Sequence, residues 1–395
     1  MTTCGYGCYV ILFLISWIVL YISLRGKLKA LESRGIVLGP LYLILNVRSA
    51  GAALERSFRG SRRASRLISI SPAVAAALMI YALYFLSSNL WSYFAAPRAF
   101  SAVIPLVPFV TVRSPFLLAI FLAAIPILII PHELSHALAA ASRGIGIKGG
   151  GFLLVTFLMG AFVELDEGSF RNAKWRHRMV TAAAGPTANA VIAGVVLALL
   201  LTQPYSYLYL PSYVAAPFYR PEAGVLVAGV VPGSPAQAAG ISTGTVLLSV
   251  NGTPLDDVGA LGGLNVSAGE LLVIDAMSGG HPHTYYVRAA EISGRAMIGV
   301  YAADYMRPDV QLPYLGASAD YFMVWLLMIS FAVAAFNMLP MAPFDGAVFM
   351  DAALSAAVRG DASRRAILYS LYALSALLLA GNIALSLMKF GVPSL

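Results

Sequence analysis

The sequence predicts a polytopic α-helical membrane protein of about six transmembrane helices, with short membrane-associated β segments and a mainly β extracytoplasmic domain. Three observations lead there. The 395 residues are 59% hydrophobic and 11% charged, with a mean hydropathy of +0.79, whereas an ordinary soluble domain is about 25% charged. Uncharged runs long enough for a ~30 Å hydrocarbon core recur along the chain. One stretch, Gly224–Ala303, breaks the pattern by alternating β-branched residues with turn signals. So much apolar surface excludes a soluble enzyme, a disordered tail and a fibrous repeat.

The runs that qualify as spans are Tyr6–Leu24, Ala73–Phe94, Phe116–Ala141, Met179–Leu201, Tyr321–Leu339 and Ala366–Met388. The first lacks the basic start and small-residue cleavage site of a signal peptide, so it reads as a retained helix. Two shorter runs, Ile36–Val47 and Gly149–Val163, are too short or too glycine-rich for spans. The second, with its glycines, β-branched and aromatic residues, suits a re-entrant hairpin, and the first is expected to behave similarly. Cys4 and Cys8 lie together near the N-terminus, open to a strained disulfide, lipid attachment or no role, and no disulfide framework is possible elsewhere.

Orientation follows from Lys and Arg near the spans. Between Arg25 and Arg66 there are ten basic and two acidic residues, which places that segment in the cytoplasm and the N-terminus outside. Alternation puts Arg143–Arg178 inside, with six basic and three acidic residues, and Gln203–Ser318 outside, with four basic and eight acidic ones. The net charge of +8 is thus a topology signal, and no nucleic-acid partner is expected. Four segments result: residues 1–115 with the first helices and the basic loop, 116–202 with the first part of a membrane core, 203–318 with the external domain and its linkers, and 319–395 with the second part of the core and the last helix.

The external domain carries its own signals. Ser234-Pro235-Ala236 starts a short helix with a Ser cap and Pro at its first position. Asn251-Gly252 is a hairpin turn. The string VVPGSPAQAAGISTGTVLLSVNGTPL resembles a PDZ domain of the prokaryotic type, with Thr245 where that pattern usually has Asp. The resemblance implies a groove that binds a peptide by strand addition. A folded spacer that only restricts access is the competing reading. The prokaryotic pattern points to a prokaryotic plasma membrane, archaeal included, rather than an organelle.

The third span contains Pro131-His132-Glu133-Leu134-Ser135-His136. Histidines at i and i+4 share one helix face and can grip one zinc ion. Glu133 stands beside them as a general base. His177, His281 and His283 are assigned to loops. Of the 18 acidic residues, Glu133 and Asp345 lie against the apolar walls of the membrane part. An ionisable group there is costly and needs a partner. No Lys or Arg within these spans supplies one, so a metal cation is the natural compensation. Zinc needs a third ligand and an open position for water. Asp345 is the candidate, in Asn337-Met-Leu-Pro340-Met-Ala-Pro343-Phe-Asp345-Gly346, where prolines and glycine interrupt the helix. Pro131 is expected to kink the third span.

HELSH at 132–136, Gly185-Pro186-Thr-Ala-Asn189 and NMLPMAPFDG at 337–346 together resemble the site-2 protease family of intramembrane zinc metalloproteases. Ser135 and Phe344 depart from its usual Gly and Leu. The resemblance implies one Zn²⁺ per chain on His132, His136 and Asp345, with Glu133 as base and acid toward a zinc-activated water. It implies contacts from Asn189 and Asn337 to the oxyanion or substrate backbone; helix–helix hydrogen bonding is their alternative. The expected partners are the lipid bilayer, membrane-anchored protein substrates and a peptide ligand at the PDZ-like domain. A prenyl-protein-processing protease takes its third ligand from a Glu on a later helix, and no acid except Asp345 is suitably placed. A metal transporter needs a polar path through several spans, whereas these polar groups converge on one site.

Overall fold

A computed structural model describes residues 6–46, 51, 55–58, 62–156, 158–292 and 295–391. Cys4 and the side chain of Cys8 lie outside what it describes. The chain separates into two compact units, one of residues 1–194 with 325–395 and the other of residues 195–324.

The first unit is mainly helical. The long helices are α1 (Tyr6–Leu24), α2 (Ser71–Ala95), α3 (Pro115–Ser142), α4 (Trp175–Leu200), α5 (Ala317–Asn337) and α7 (Asp361–Phe390), with the shorter α6 (Asp345–Ala357) between the last two. Among the described residues, six helices are long and apolar enough to cross a membrane, and the six apolar runs of the sequence fall on them. Proline at the first position of α3 sets φ where no N–H is needed. Pro126 and Pro131 then lie inside α3, which stays helical from end to end.

Small residues bring the helices together. Ala75 and Ala82 of α2, Ala182 and Ala183 of α4, and Ala334 and Ala335 of α5 pack in one cluster with Met338, Leu339 and Phe349 of the α5–α6 segment. Without side-chain bulk the backbones can approach closely, which is what drives helix association where lipid is as apolar as leucine.

A polar seam joins α2 to α7. Asn89 Nδ2 donates to Asn382 Oδ1 at 2.8 Å and to Ser101 O at 2.9 Å, and its Oδ1 accepts from Ser101 N. Asn382 Nδ2 donates in turn to Leu86 O, and Val103 N donates to Ser386 Oγ. The loop after α2 is thereby tied to both helices. Asn382→Ala is expected to lower the free energy of unfolding by about 1–2 kcal/mol, because it strands buried polar partners. Unfolding by titration with a denaturing detergent measures this, and an unchanged midpoint would contradict it.

The two short apolar runs are strands of one antiparallel sheet, in the order β1 (Ile36–Leu38), β2 (Tyr42–Asn46), β3 (Ile147–Val155), β4 (Leu158–Leu165). β3 and β4 form a hairpin in which Gly151 faces Phe162 and Phe152 faces Ala161. Gly151 is needed where β2 crosses, since a Cβ there would run into Leu45 O. β4 is an edge strand, and its Val163 and Leu165 pack against Ala137 and Ala141 of α3.

The second unit is mainly β. Its sheet runs β12 (Val300–Pro308), β5 (Tyr219–Val230), β6 (Val246–Val250), β8 (Leu271–Ser278), β9 (His281–Arg288), with β7 (Thr253–Pro254) paired to β6. β10 (Ala290–Ile292) and β11 (Arg295–Met297) form a separate hairpin. Val225, Val227, Leu247, Ile274 and Val287 fill the core. Ser234 caps the helix Pro235–Ala238 by accepting from Gln237 N. Asn251 and Gly252 both have positive φ, 50° and 79°, as the two-residue turn between β6 and β7 requires. A cleft of about 600 Å³ opens beside the helix Val258–Gly262, lined by Val258, Leu261, Leu264, Ile298 and Val300.

Candidate metal centre

The site is assembled from four helices, α3, α4, α5 and α6. His132 and His136 stand one turn apart on α3, and their rings meet edge to face with centroids 4.8 Å apart. Asp345 opens α6 after the Met338–Phe344 turn, so its carboxylate leaves the helix end sideways. Gly346 makes that turn tight, because a Cβ there would overlap the carbonyl oxygens of Met338 and Leu339.

The ligand atoms converge. His132 Nε2 lies 3.2 Å from Asp345 Oδ2, His136 Nε2 lies 3.4 Å from the same oxygen, and the two Nε2 atoms are 3.2 Å apart. Zinc bonds of about 2.0–2.1 Å in a tetrahedron give ligand–ligand edges of about 3.3–3.4 Å. The three separations are therefore those of a zinc-sized centre. These three side chains form the candidate metal-holding group among the described residues.

Gly185 of α4 supplies an independent test of fit. A Cβ at position 185 would come within 2.6 Å of His132 Nε2 and closer still to His136 Nε2. Only glycine leaves the space in front of the two nitrogens open. The residues present fit the metal.

The outer nitrogens of both imidazoles are held by α4. His136 Nδ1 donates to Thr181 O at 2.6 Å, which leaves Nε2 with its lone pair toward the centre. His132 Nδ1 faces Asn189 Nδ2 at 3.1 Å, while Asn189 Oδ1 is buried without a hydrogen-bond partner. A half-turn of that amide presents Oδ1 to a protonated Nδ1, satisfies both groups and fixes the tautomer in which Nε2 is the ligand.

Glu133 follows His132 on α3, and its Oε2 accepts from Val163 N at 3.1 Å. The edge strand β4 thus anchors it. Asn337, the last residue of α5, brings Nδ2 to 3.4 Å from His132 Nε2, on the ligand side of the ring.

The residues named from the sequence, His132, Glu133, His136, Asn189, Asn337 and Asp345, come together here. Of the other histidines, His177 lies in the first turn of α4, and His281 and His283 lie on β9, so none of the three is in a loop. Sequence reasoning gave no role to Thr181, Gly185 or Val163. Thr181 and Val163 act through backbone atoms and leave no side-chain signal. The Gly185-Pro186 pair inside an apolar helix was the signal available for Gly185.

Two curated relatives match parts of the chain. A stretch of 70 residues is 46% identical to the uncharacterized protein MJ0971 of Methanocaldococcus jannaschii, covering 18% of this chain and 19% of that protein. A stretch of 80 residues is 38% identical to the putative serine protease HhoA of Synechocystis, covering 20% of each. The chain therefore spans about a fifth of the length of these relatives. The model of peptidase family M50 matches residues 120–381, which include His132 and His136 of α3, Gly185, Asn189 and Asp345. With more than half of its length so matched, the chain belongs to peptidase family M50, the site-2 protease family of membrane metalloproteases.

Proposed function

We propose that this integral membrane protein is a zinc endopeptidase that hydrolyses peptide bonds within or near the transmembrane helices of membrane-anchored proteins. The observation that carries the reading is the convergence of His132 Nε2, His136 Nε2 and Asp345 Oδ2 at 3.2–3.4 Å on helices apolar enough to span a bilayer.

His132, His136 and Asp345 would hold the metal. Zinc held there would supply Lewis-acid chemistry, polarising the scissile carbonyl and making water a nucleophile near neutral pH. Glu133 takes the proton of the attacking water and returns it to the leaving amine. The Val163 N–H fixes where that carboxylate points. Asn337 donates its amide to the substrate carbonyl from the ligand side of His132. Asn189 acts as a positioning residue that orients His132.

A helical substrate hides its carbonyls in i→i−4 hydrogen bonds and must unwind locally to be cut. Beyond Val163, whose N–H is taken by Glu133, the edge of β4 offers backbone groups to the unwound stretch, so strand addition would hold it beside Glu133. The second unit, PDZ-like in its sequence, is assigned to the extracytoplasmic side by the charge balance of the loops. The cleft lined by Leu261 and Ile298 suits an extended peptide and would select among substrates before they reach the membrane core.

Two results test this reading. The purified protein in lipid vesicles should cut a single-span reporter inside or within a few residues of its apolar segment, as mapped by mass spectrometry, and a zinc chelator should stop it. Cuts confined to soluble loops would overturn the proposal. Asn189→Leu should weaken zinc binding about 10–100-fold, the usual cost of losing an outer partner of a metal-bound histidine. Asn189→Asp, which keeps an acceptor, should retain most of it. Equal zinc affinity in all three proteins would remove Asn189 from the role.

A further inference from the structure

A pocket lies along α3 on the N-terminal side of His132. It has a volume of about 180 Å³ and is walled by Ile125, Ile129 and Ile130 of α3 and by Phe152, Met159 and Ala161 of the β3–β4 hairpin. Every residue lining it is apolar. We propose that this pocket is a side-chain subsite that admits one aliphatic residue of the unwound substrate and so sets which peptide bond is cut. The inference rests on the peptidase reading and deepens it.

Chain geometry links the pocket to the chemistry. Ile130 is two residues before His132 on the same helix. Ala161 is two residues before Val163, whose N–H holds Glu133. Val163 points that N–H away from β3, and Ala161 and Met159 share its alternation along the edge strand. A substrate strand paired with β4 at Met159 and Ala161 therefore ends beside Glu133, which occupies the Val163 N–H.

The same alternation decides where its side chains go. Val163, Ala161 and Met159 share one face of the hairpin, and Phe152, the cross-strand partner of Ala161, shares it too. Val163 packs against Ala137 and Ala141, so this face is turned to α3. Every second side chain of an added strand lies on that face. The one beside Ala161 meets the pocket.

Ala161 creates the room, since a small residue stands between Met159 and Val163. A side chain the size of leucine, isoleucine or methionine fits, and a polar one finds no partner. A lipid acyl chain is the rival occupant, but it would leave cleavage indifferent to substrate sequence.

The test uses the full-length protein in phosphatidylcholine vesicles. Single-span reporters carry Leu, Ala or Asn in turn at each position flanking the mapped scissile bond. One position should prefer Leu over Ala by about 10-fold or more in kcat/KM, and Leu over Asn by about 100-fold. Ala161→Phe fills the pocket and should abolish that preference by suppressing the Leu reporter alone, with zinc content unchanged. Met159→Ala enlarges the pocket and should admit Phe at the same position. Uniform loss on all reporters with Ala161→Phe, together with an unaltered profile with Met159→Ala, would overturn the subsite and leave the peptidase reading intact. Absence of cleavage by the unsubstituted protein would overturn that reading and the subsite with it.

Discussion

Glu133→Gln is expected to lower kcat for a transmembrane reporter by about 10³-fold or more while zinc stays bound. The amide has the shape of the carboxylate and can still accept from Val163 N through its oxygen. It cannot take a proton from water. General acid–base catalysis is worth about 10²–10⁴-fold, and here one residue serves both in accepting the proton and in returning it. Glu133 is not among the converging ligand atoms, so metal analysis should find the same stoichiometry as in the unsubstituted protein. Undiminished cleavage would sink the catalytic assignment. Loss of the metal would make Glu133 a ligand instead.

Asp345→Asn is expected to empty the centre. Asp345 Oδ2 faces both imidazole nitrogens and is the one anionic atom of the set. Without it two neutral histidines remain, and affinity should fall by more than the ~10–100-fold that losing an outer partner costs. Equilibrium dialysis against a zinc buffer measures the change, and full occupancy would point to a different third ligand. Gly185→Ala should give the same loss for an unrelated reason. The added methyl would overlap both Nε2 atoms. In a helix interior alanine is otherwise more stable than glycine by roughly 0.5–1 kcal/mol. Loss of metal with an intact helix content would separate the steric cause from misfolding.

How much of this was legible in the sequence depended on range. The spans were, because an uncharged run of the right length has few other fates, and α1 has the bounds the run suggested. The Gly149–Val163 hairpin was legible from its glycines and β-branched residues. Its union with β1 and β2 was not, since pairing Tyr42 with Val155 joins segments more than a hundred residues apart that no local pattern connects. Pro131 lies within α3 and does not end it, since the helix runs on through Ser142.

Within the site, His132, His136 and Asp345 were readable because charge and imidazole are scarce in apolar segments. The groups that aim them were not. Thr181 contributes only a carbonyl, and Val163 only an N–H. Asn189 read as an oxyanion or substrate-backbone contact, with an interhelical bond as the alternative, and its position beside His132 Nδ1 depends on how α4 packs on α3.

The central claim is that peptide hydrolysis depends on one zinc held by His132, His136 and Asp345. Stoichiometric reactivation tests it most directly. The purified protein is stripped with a chelator, and cleavage of a transmembrane reporter is followed as Zn²⁺ is added back. Activity should be absent at the start, rise linearly and level off at one equivalent per chain. Cleavage by the metal-free protein, or a plateau independent of zinc, would contradict the account.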